Sequence, residues 1–528
     1  MDIKVVEQEV DDAFFDNKLL DVDYAQSMWT ILSVMEDRYL KATQIVPLEY
    51  EFQHVYLDAS LNALTHPLRA IYFKNRNSAG KIIREVIDDQ YGYSHDWLDK
   101  ALVYNNFCSI FPLYWKKKIT LTIKDDSIET TDWKSNEPQY EVYNRLIRKD
   151  GEQAEQILDT AVILELIHPH ISSKKNRFEL NLTPILVRKL VDEYAHFAQP
   201  RFKIPSDWEC NYFTFGDFRS VYITLQAILT GRHIARTFLA MKGLPGLGYS
   251  DAVWVLPMTD LKKRLIRYTS LSSKKIECIL DYLTFGKVGV KYPDIAIQPI
   301  LDLKNGSVAL SPFIFNNSNA ERNLCVLLNQ IEDEKKTYSK LTQDKEDVLR
   351  RELCEAVEDM GLECSSGKLS DTDVDFAIID RQNRACIVFE LKWFIEPAEV
   401  REQLERSQEL QKGVEQAEKI KKKFDEGDSQ LINDVLKIDS SFVFASAVGS
   451  RNWIGSFYVQ SKAIPIIKVK HFIEVLRQLK SLQLAIEYLD ARDYLPKEFV
   501  DYEIVDNLLQ LGKWKCMWYG IKPILKEE

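Results

Sequence analysis

Two apolar, β-branched arms joined by a polar tetrad constrain this chain more than any other stretch. Residues 372–380 read Thr-Asp-Val-Asp-Phe-Ala-Ile-Ile-Asp and residues 385–393 read Ala-Cys-Ile-Val-Phe-Glu-Leu-Lys-Trp, with Arg381-Gln382-Asn383-Arg384 between them. Arms of this composition form strands, and the polar joint makes them a hairpin. Strand alternation puts Cys386, Val388, Glu390 and Lys392 on one face of the second arm, and Ile387, Phe389 and Leu391 on the other. On the first arm Asp373, Asp375, Ala377 and Ile379 share a face. A loop closed by Asp380 and Ala385 sets Asp375 opposite Glu390. A two-residue Arg-Gln turn would choose Asp373, but it lacks the Gly or Asn of tight hairpins. Asp375 is therefore the expected partner.

Facing carboxylates repel and destabilise a hairpin. A divalent cation between them would explain why both are present. All-oxygen ligands suit Mg²⁺, which keeps several waters and is held by one or two carboxylates plus phosphate. Lys392, on the same face, can orient or help deprotonate water, or stabilise charge growing on phosphorus. The alternative is a hairpin with a merely polar outer face.

Asp375 followed by Glu390-Leu391-Lys392 after a short hairpin resembles the PD-(D/E)XK nuclease superfamily, over about residues 340–470 of the chain. The resemblance implies a restriction-endonuclease-like core of helix, three strands, helix and strand. It also implies Mg²⁺-dependent phosphodiester cleavage, with Mn²⁺ able to substitute. Asp375 and Glu390 would hold the metal, and Asp375, Glu390 and Lys392 would form the catalytic set. Relatives of this kind often add an acid from the preceding helix. At 100° per residue, Leu349, Leu353, Val357 and Met360 form an apolar stripe on a helix from about Gln343 to Met360. Glu346 falls inside that stripe and is the third expected metal ligand. Glu352, at its edge, is the second choice, and a solvated glutamate at the helix start is the alternative reading. After Lys392, Pro397 opens a helix reaching about Phe424, with Leu410, Val414, Ala417, Ile420 and Phe424 as its core stripe. Gly413 lies within that arc and permits close packing on the sheet. Gln416 flanks it, and the resemblance to RecB-type members suggests a catalytic glutamine there. Their following tyrosine has no match, because Ile420 stands four residues on. Lys419-Ile-Lys-Lys-Lys423 closes the helix as a solvated end or a phosphate contact.

The rest of the chain bounds this reading. At 528 residues several domains are expected. A net charge of −11 argues against a nonspecific DNA coat, though a local basic cleft would suffice. The eight cysteines show no CxxC and no zinc spacing, and several sit inside apolar runs, where buried free thiols and so a reducing cytoplasm are expected. No signal peptide or membrane-length apolar run is present. The expected partner is nucleic acid, DNA ahead of RNA, with no membrane. The first 330 residues offer a surface for a partner protein or a second copy, and phage restriction or defence enters by analogy alone.

The expected fold class is α+β: a mainly helical N-terminal region, then a C-terminal restriction-endonuclease-like α/β sandwich with a central mixed sheet. Residues 1–135 read as mixed, short helical and strand-like pieces. Residues 136–330 read as mainly helical, with helices at 152–167, 183–198 and 217–242. A hairpin with Asn305-Gly306 at its tip follows. Ser270-Leu-Ser-Ser separates two further helices, serine being a natural N-cap. The nuclease-like domain is placed at 331–475. The tail, 476–528, reads as helical at first and ends in Trp514-Lys-Cys-Met-Trp-Tyr packed on the body.

Overall fold

The computed structural model describes the chain except residues 1, 78–79, 132–136, 147–157, 199–201, 203, 289, 395–396, 398–399, 456–458, 460–462 and 525–528. The side chains of 50–51, 131, 137–138, 145–146, 342–344 and 346 also lie outside the description. Four helices come first: α1 (Ile3–Phe15), α2 (Tyr24–Leu40), α3 (Tyr50–Asn75) and α4 (Asp88–Trp115). Strands β1 (Thr120–Lys124) and β2 (Ser127–Thr131) precede α5 (Glu137–Leu146) and α6 (Thr160–Ile167). Then come β3 (Ile171–Lys174), β4 (Arg177–Leu180), α7 (Pro184–Ala198) and α8 (Phe215–Met241). Strand β5 (Trp254–Pro257) leads to α9 (Met258–Thr269), α10 (Ser273–Leu283), β6 (Ile300–Asp302) and β7 (Ser307–Leu310). After α11 (Pro312–Asn317), α12 (Ala320–Gln330) and α13 (Glu332–Glu358) come β8 (Glu363–Lys368), β9 (Asp373–Asp380) and β10 (Ala385–Lys392). Helix α14 (Val400–Asp425) is followed by β11 (Val443–Ser450), β12 (Ile466–Lys468), α15 (Val469–Leu479) and α16 (Leu482–Asp490). Strands β13 (Tyr502–Leu511) and β14 (Trp514–Pro523) close the order. The class is mixed α and β. Among the described residues no helix is long and apolar enough to cross a membrane.

Two compact units emerge, and neither is continuous in sequence. The first takes Met1–Cys108, Gln156–Ser339 and Leu511–Lys513; the second takes Ser109–Glu155, Lys340–Gln510 and Trp514–Glu528. The boundaries read from the sequence, at 135, 330 and 475, cut a linear chain and could not anticipate this interleaving.

The first unit is a helical body with two small sheets, β3-β4 and β5-β7-β6. Four long helices, α1 to α4, stand where short mixed pieces were expected. Helix α2 explains the difference: from Tyr24 to Glu36 it is buried on every side, so no polar stripe betrays its period. Helix α8 starts with a capping box between Thr214 and Asp217. Between α2 and α8 lies a buried ionic cluster. Arg236 donates to the Glu36 main-chain carbonyl at 3.0 Å, to the Leu247 carbonyl at 2.8 Å and to the Asp37 carboxylate. Glu36 accepts from the Ser311 hydroxyl and from the Phe313 N–H. Burial pushes Glu36 up to about 7 against these bonds.

The second unit holds a five-stranded sheet in the order β12-β11-β10-β9-β8. Strands β8, β9 and β10 run as an antiparallel meander. Helix α14 then carries the chain to β11, which lies parallel to β10, and β12 lies parallel to β11. Both faces are covered, as the near-continuous apolar run of β10 requires. Phe376, Ile378, Ile387, Phe389 and Leu391 pack with Leu349, Leu353 and Val357 of α13. Ala377, Ile379, Cys386 and Val388 pack with Ile420 of α14 and with Leu431. A second sheet has the order β1-β2-β14-β13, with β14 parallel to β2.

Two expectations are corrected here. The aromatic tail is a strand: Trp514, Cys516 and Trp518 are buried at every second position of β14, a period that an aromatic cluster conceals. The cysteines are not all thiols, because Cys354 of α13 and Cys364 of β8 form a disulfide with their Cα atoms 5.7 Å apart. The turn at Gly361, with φ of 76°, folds the strand back beside the helix that precedes it. The other six cysteines are thiols.

Candidate active site

The hairpin register decides which carboxylates meet. Ala385 pairs with Asp380, and each later residue of β10 pairs one step earlier on β9, as far as Phe389 with Phe376. One more step along that diagonal brings Glu390 to Asp375. There the ladder gives way to a side-chain bond: Asp375 Oδ2 accepts from the Leu391 N–H at 2.9 Å. The aspartate is thereby fixed at the strand end, next to the glutamate.

Glu390 is 4% exposed and Lys392 19%, and the Lys392 Nζ donates to Glu390 Oε1 at 2.6 Å. Asp375 is half-buried. Burial first, and the neighbouring Asp375 charge after it, raise the Glu390 carboxyl to about 7 against the opposing pull of Lys392. Helix α14 lies directly over the pair. At Gly413 an added Cβ would stand 3.2 Å from Lys392 Cε and 3.5 Å from Glu390 Cγ. No larger residue would leave that spacing undisturbed.

The structure thus brings Asp375, Glu390 and Lys392 together at one end of the sheet. Gln416 lies on α14 three residues past Gly413 and is half-buried. Glu352 turns elsewhere, pairing with Lys470 at 3.6 Å and Arg451 at 3.9 Å. The Glu346 side chain lies outside the described residues. Lys419 and Lys423 both pair with Asp371, at 2.6 and 3.0 Å, and Lys423 also pairs with Asp428 at 2.9 Å.

Arg451 and Trp393 were not anticipated. The Arg451 N–H donates to the Lys392 carbonyl at 2.9 Å, and its guanidinium stacks 3.7 Å from the centre of the Trp393 ring. Both residues follow strands that run parallel in register, since Lys392 pairs with Ser450. A basic residue just past the apolar run 443–449 was the available signal.

The donor set suits a hard divalent cation: two carboxylates pressed together, one of them buried and held from ionising freely, with oxygen atoms alone as ligands. Among the described residues no group of three or more His, Cys, Asp or Glu side chains forms a metal cluster.

No family model, curated protein or solved structure matches this chain.

Proposed function

We propose that the second unit is a Mg²⁺-dependent nuclease of the PD-(D/E)XK type on a restriction-endonuclease-like core, with DNA as substrate ahead of RNA. One observation carries the reading: Asp375, Glu390 and Lys392 converge at the end of a sheet built as helix, three antiparallel strands, helix and parallel strand. A carboxylate pair this close is costly without a cation to share.

Asp375 and Glu390 would hold the metal, with Glu346 as a further candidate. Bound Mg²⁺ supplies Lewis acidity at phosphorus and lowers the cost of deprotonating water. The Leu391 N–H holds Asp375 Oδ2 and so fixes the orientation of the carboxylate that would take the metal. Lys392, held under Gly413, donates toward a phosphoryl oxygen or orients the attacking water. The first unit is left to recognise substrate or a partner protein, and restriction or phage defence is the role that such an arrangement would serve.

The test is direct. Full-length protein is incubated with double- and single-stranded DNA and with RNA, in Mg²⁺ or in EDTA, beside Lys392→Ala. Cleavage in Mg²⁺ alone, abolished by the substitution, is expected. Cleavage that continues in EDTA, or that Lys392→Ala leaves intact, rejects the mechanism.

A further inference from the structure

Two sheets lie in the second unit, and three of their outer strands are guarded against pairing with another chain. Strand β12 is sealed by tyrosines: the Tyr494 hydroxyl donates to the Ile466 carbonyl at 2.9 Å, and the Lys468 N–H donates to the Tyr143 hydroxyl at 3.1 Å. Beside β8 runs the segment Gln430–Leu436, where the Val435 carbonyl accepts from the Ser365 hydroxyl at 2.7 Å and the Val435 side chain lies against Gly367. Strand β1 has five residues and ends on Lys124, and short strands that carry lysine resist pairing.

Strand β13 has none of these devices. It runs ten residues, Tyr502–Leu511, without Lys, Arg, Pro or Gly, and it is outermost in its sheet. Its centre is bare on both faces, because residues 505–508 are all exposed, Val505 at 37% and Leu508 at 57%. Leu509, Leu511, Trp514 and Cys516 are buried, so Leu508 stands on the opposite face with Met517 of β14, itself 46% exposed. An edge of this length and composition is a template for another strand.

Symmetry narrows the partner. Two copies of one strand that pair edge to edge about a two-fold axis run antiparallel with the same face up. Residues opposite one another then share a face, so one residue meets its own copy at the axis. The Phe499 N–H already takes the Tyr502 carbonyl at 2.7 Å, so the open edge begins beyond Tyr502. Its middle offers three centres. Centring on Asp506 would set two aspartates face to face, which destabilises the pair. Centring on Asn507 would set the Asp506 carboxylate against Leu508. Centring on Leu508 sets two leucines together at the axis and Asp506 against Gln510 on either side of it. Each carboxylate then meets an amide donor, and no like charges meet between 505 and 511.

We propose that β13 docks a second copy of this chain, in a two-fold dimer centred on Leu508 that joins two four-stranded sheets into one. This surface is independent of the nuclease reading. Sedimentation equilibrium of the full-length protein at low and high micromolar concentration tests it, beside Leu508→Lys, which sets two ammonium groups face to face at the axis. The parent should pass reversibly from monomer to dimer. Leu508→Lys should stay monomeric, with the circular dichroism of the parent, because the side chain it replaces is exposed. The register is read with a short bis-maleimide cross-linker. Leu508→Cys should be joined to its own copy well above the background of the parent, and Val505→Cys, three residues from the axis, should not. The proposal is overturned if the parent is monomeric at every concentration, the result expected if β13 instead awaits a strand of another protein. It is equally overturned if Leu508→Lys dimerises like the parent, or if Val505→Cys cross-links as readily as Leu508→Cys.

Discussion

Gly413 of α14 faces Lys392 of β10 so closely that a methyl group on the glycine would come within 3.2 Å of the lysine Cε. That contact lies at the flexible end of a side chain, so Gly413→Ala can be accommodated if Lys392 moves. Replacing a mid-helix glycine by alanine also adds up to about 1 kcal/mol of helix stability. Gly413→Ala should therefore unfold no earlier than the parent in urea, while cleavage falls roughly ten- to a hundredfold, the cost of a misplaced catalytic group. Equal stability with equal activity would show that Lys392 need not stay where it is.

The raised Glu390 carboxyl makes a pH prediction with a definite sign. Its value is about 7 in the fold against 4.5 for an ordinary glutamate. The folded state therefore binds the proton more tightly than the unfolded one. Its contribution to stability is complete below pH 4.5 and is lost as pH rises to 7, by about 3 kcal/mol at most. In the proposed site Mg²⁺ would compete for the deprotonated pair, so the rise in Tm on adding Mg²⁺ should be small at pH 5.5 and grow through pH 8. Glu390→Gln should flatten this dependence and abolish cleavage. A Mg²⁺ effect of the same size at every pH would count against the carboxylate pair as its origin.

Arg451 tests how the end of the sheet is held. Its guanidinium lies flat over Trp393 and near Glu352. A stacked, desolvated cation of this kind contributes up to about 2 kcal/mol. Arg451→Ala should lower stability in urea by about 1–2 kcal/mol, and Arg451→Lys should recover only part of it, because an ammonium cannot stack as a plane. Full recovery by lysine would assign the effect to charge alone.

In the first unit, Arg236 stands between Glu36 and Asp37 with 1% of its side chain exposed. Arg236→Met would leave the half-buried Asp37 carboxylate without its cation, with the Tyr91 hydroxyl still donating to it, at a cost of up to about 3 kcal/mol. Thermal unfolding should show a clear fall in Tm, and adding Glu36→Gln should restore part of it at pH 8 by removing a buried charge.

The hairpin was legible because two β-branched apolar arms, a polar joint and the absence of glycine in that joint all pointed to one register. Asp375 and Glu390 followed from it by counting. Helix α14 and the place of Gly413 were legible for the same reason, a clean apolar arc. The partners of Glu352, Arg451 and Lys470, lie about a hundred residues away, beyond the reach of helical periodicity. The tail strands were missed because the aromatic cluster around Trp514 and Trp518 conceals the period of two that buries Trp514, Cys516 and Trp518. Cys354 and Cys364 needed the turn between helix and strand before they could be seen as neighbours.

The pairing of β14 with β2 has a consequence for how the molecule is made. Thr130 and the carbonyl of Met517 share a hydrogen bond across 387 positions. During translation the hairpin of β1 and β2 emerges with its outer edge uncovered, and its partner strand is made 387 positions later. Until then that edge is open to strands of other nascent chains. Expression at low temperature or with chaperones should raise the yield of dispersed protein, and trimming back to residue 510 should drive it into aggregates.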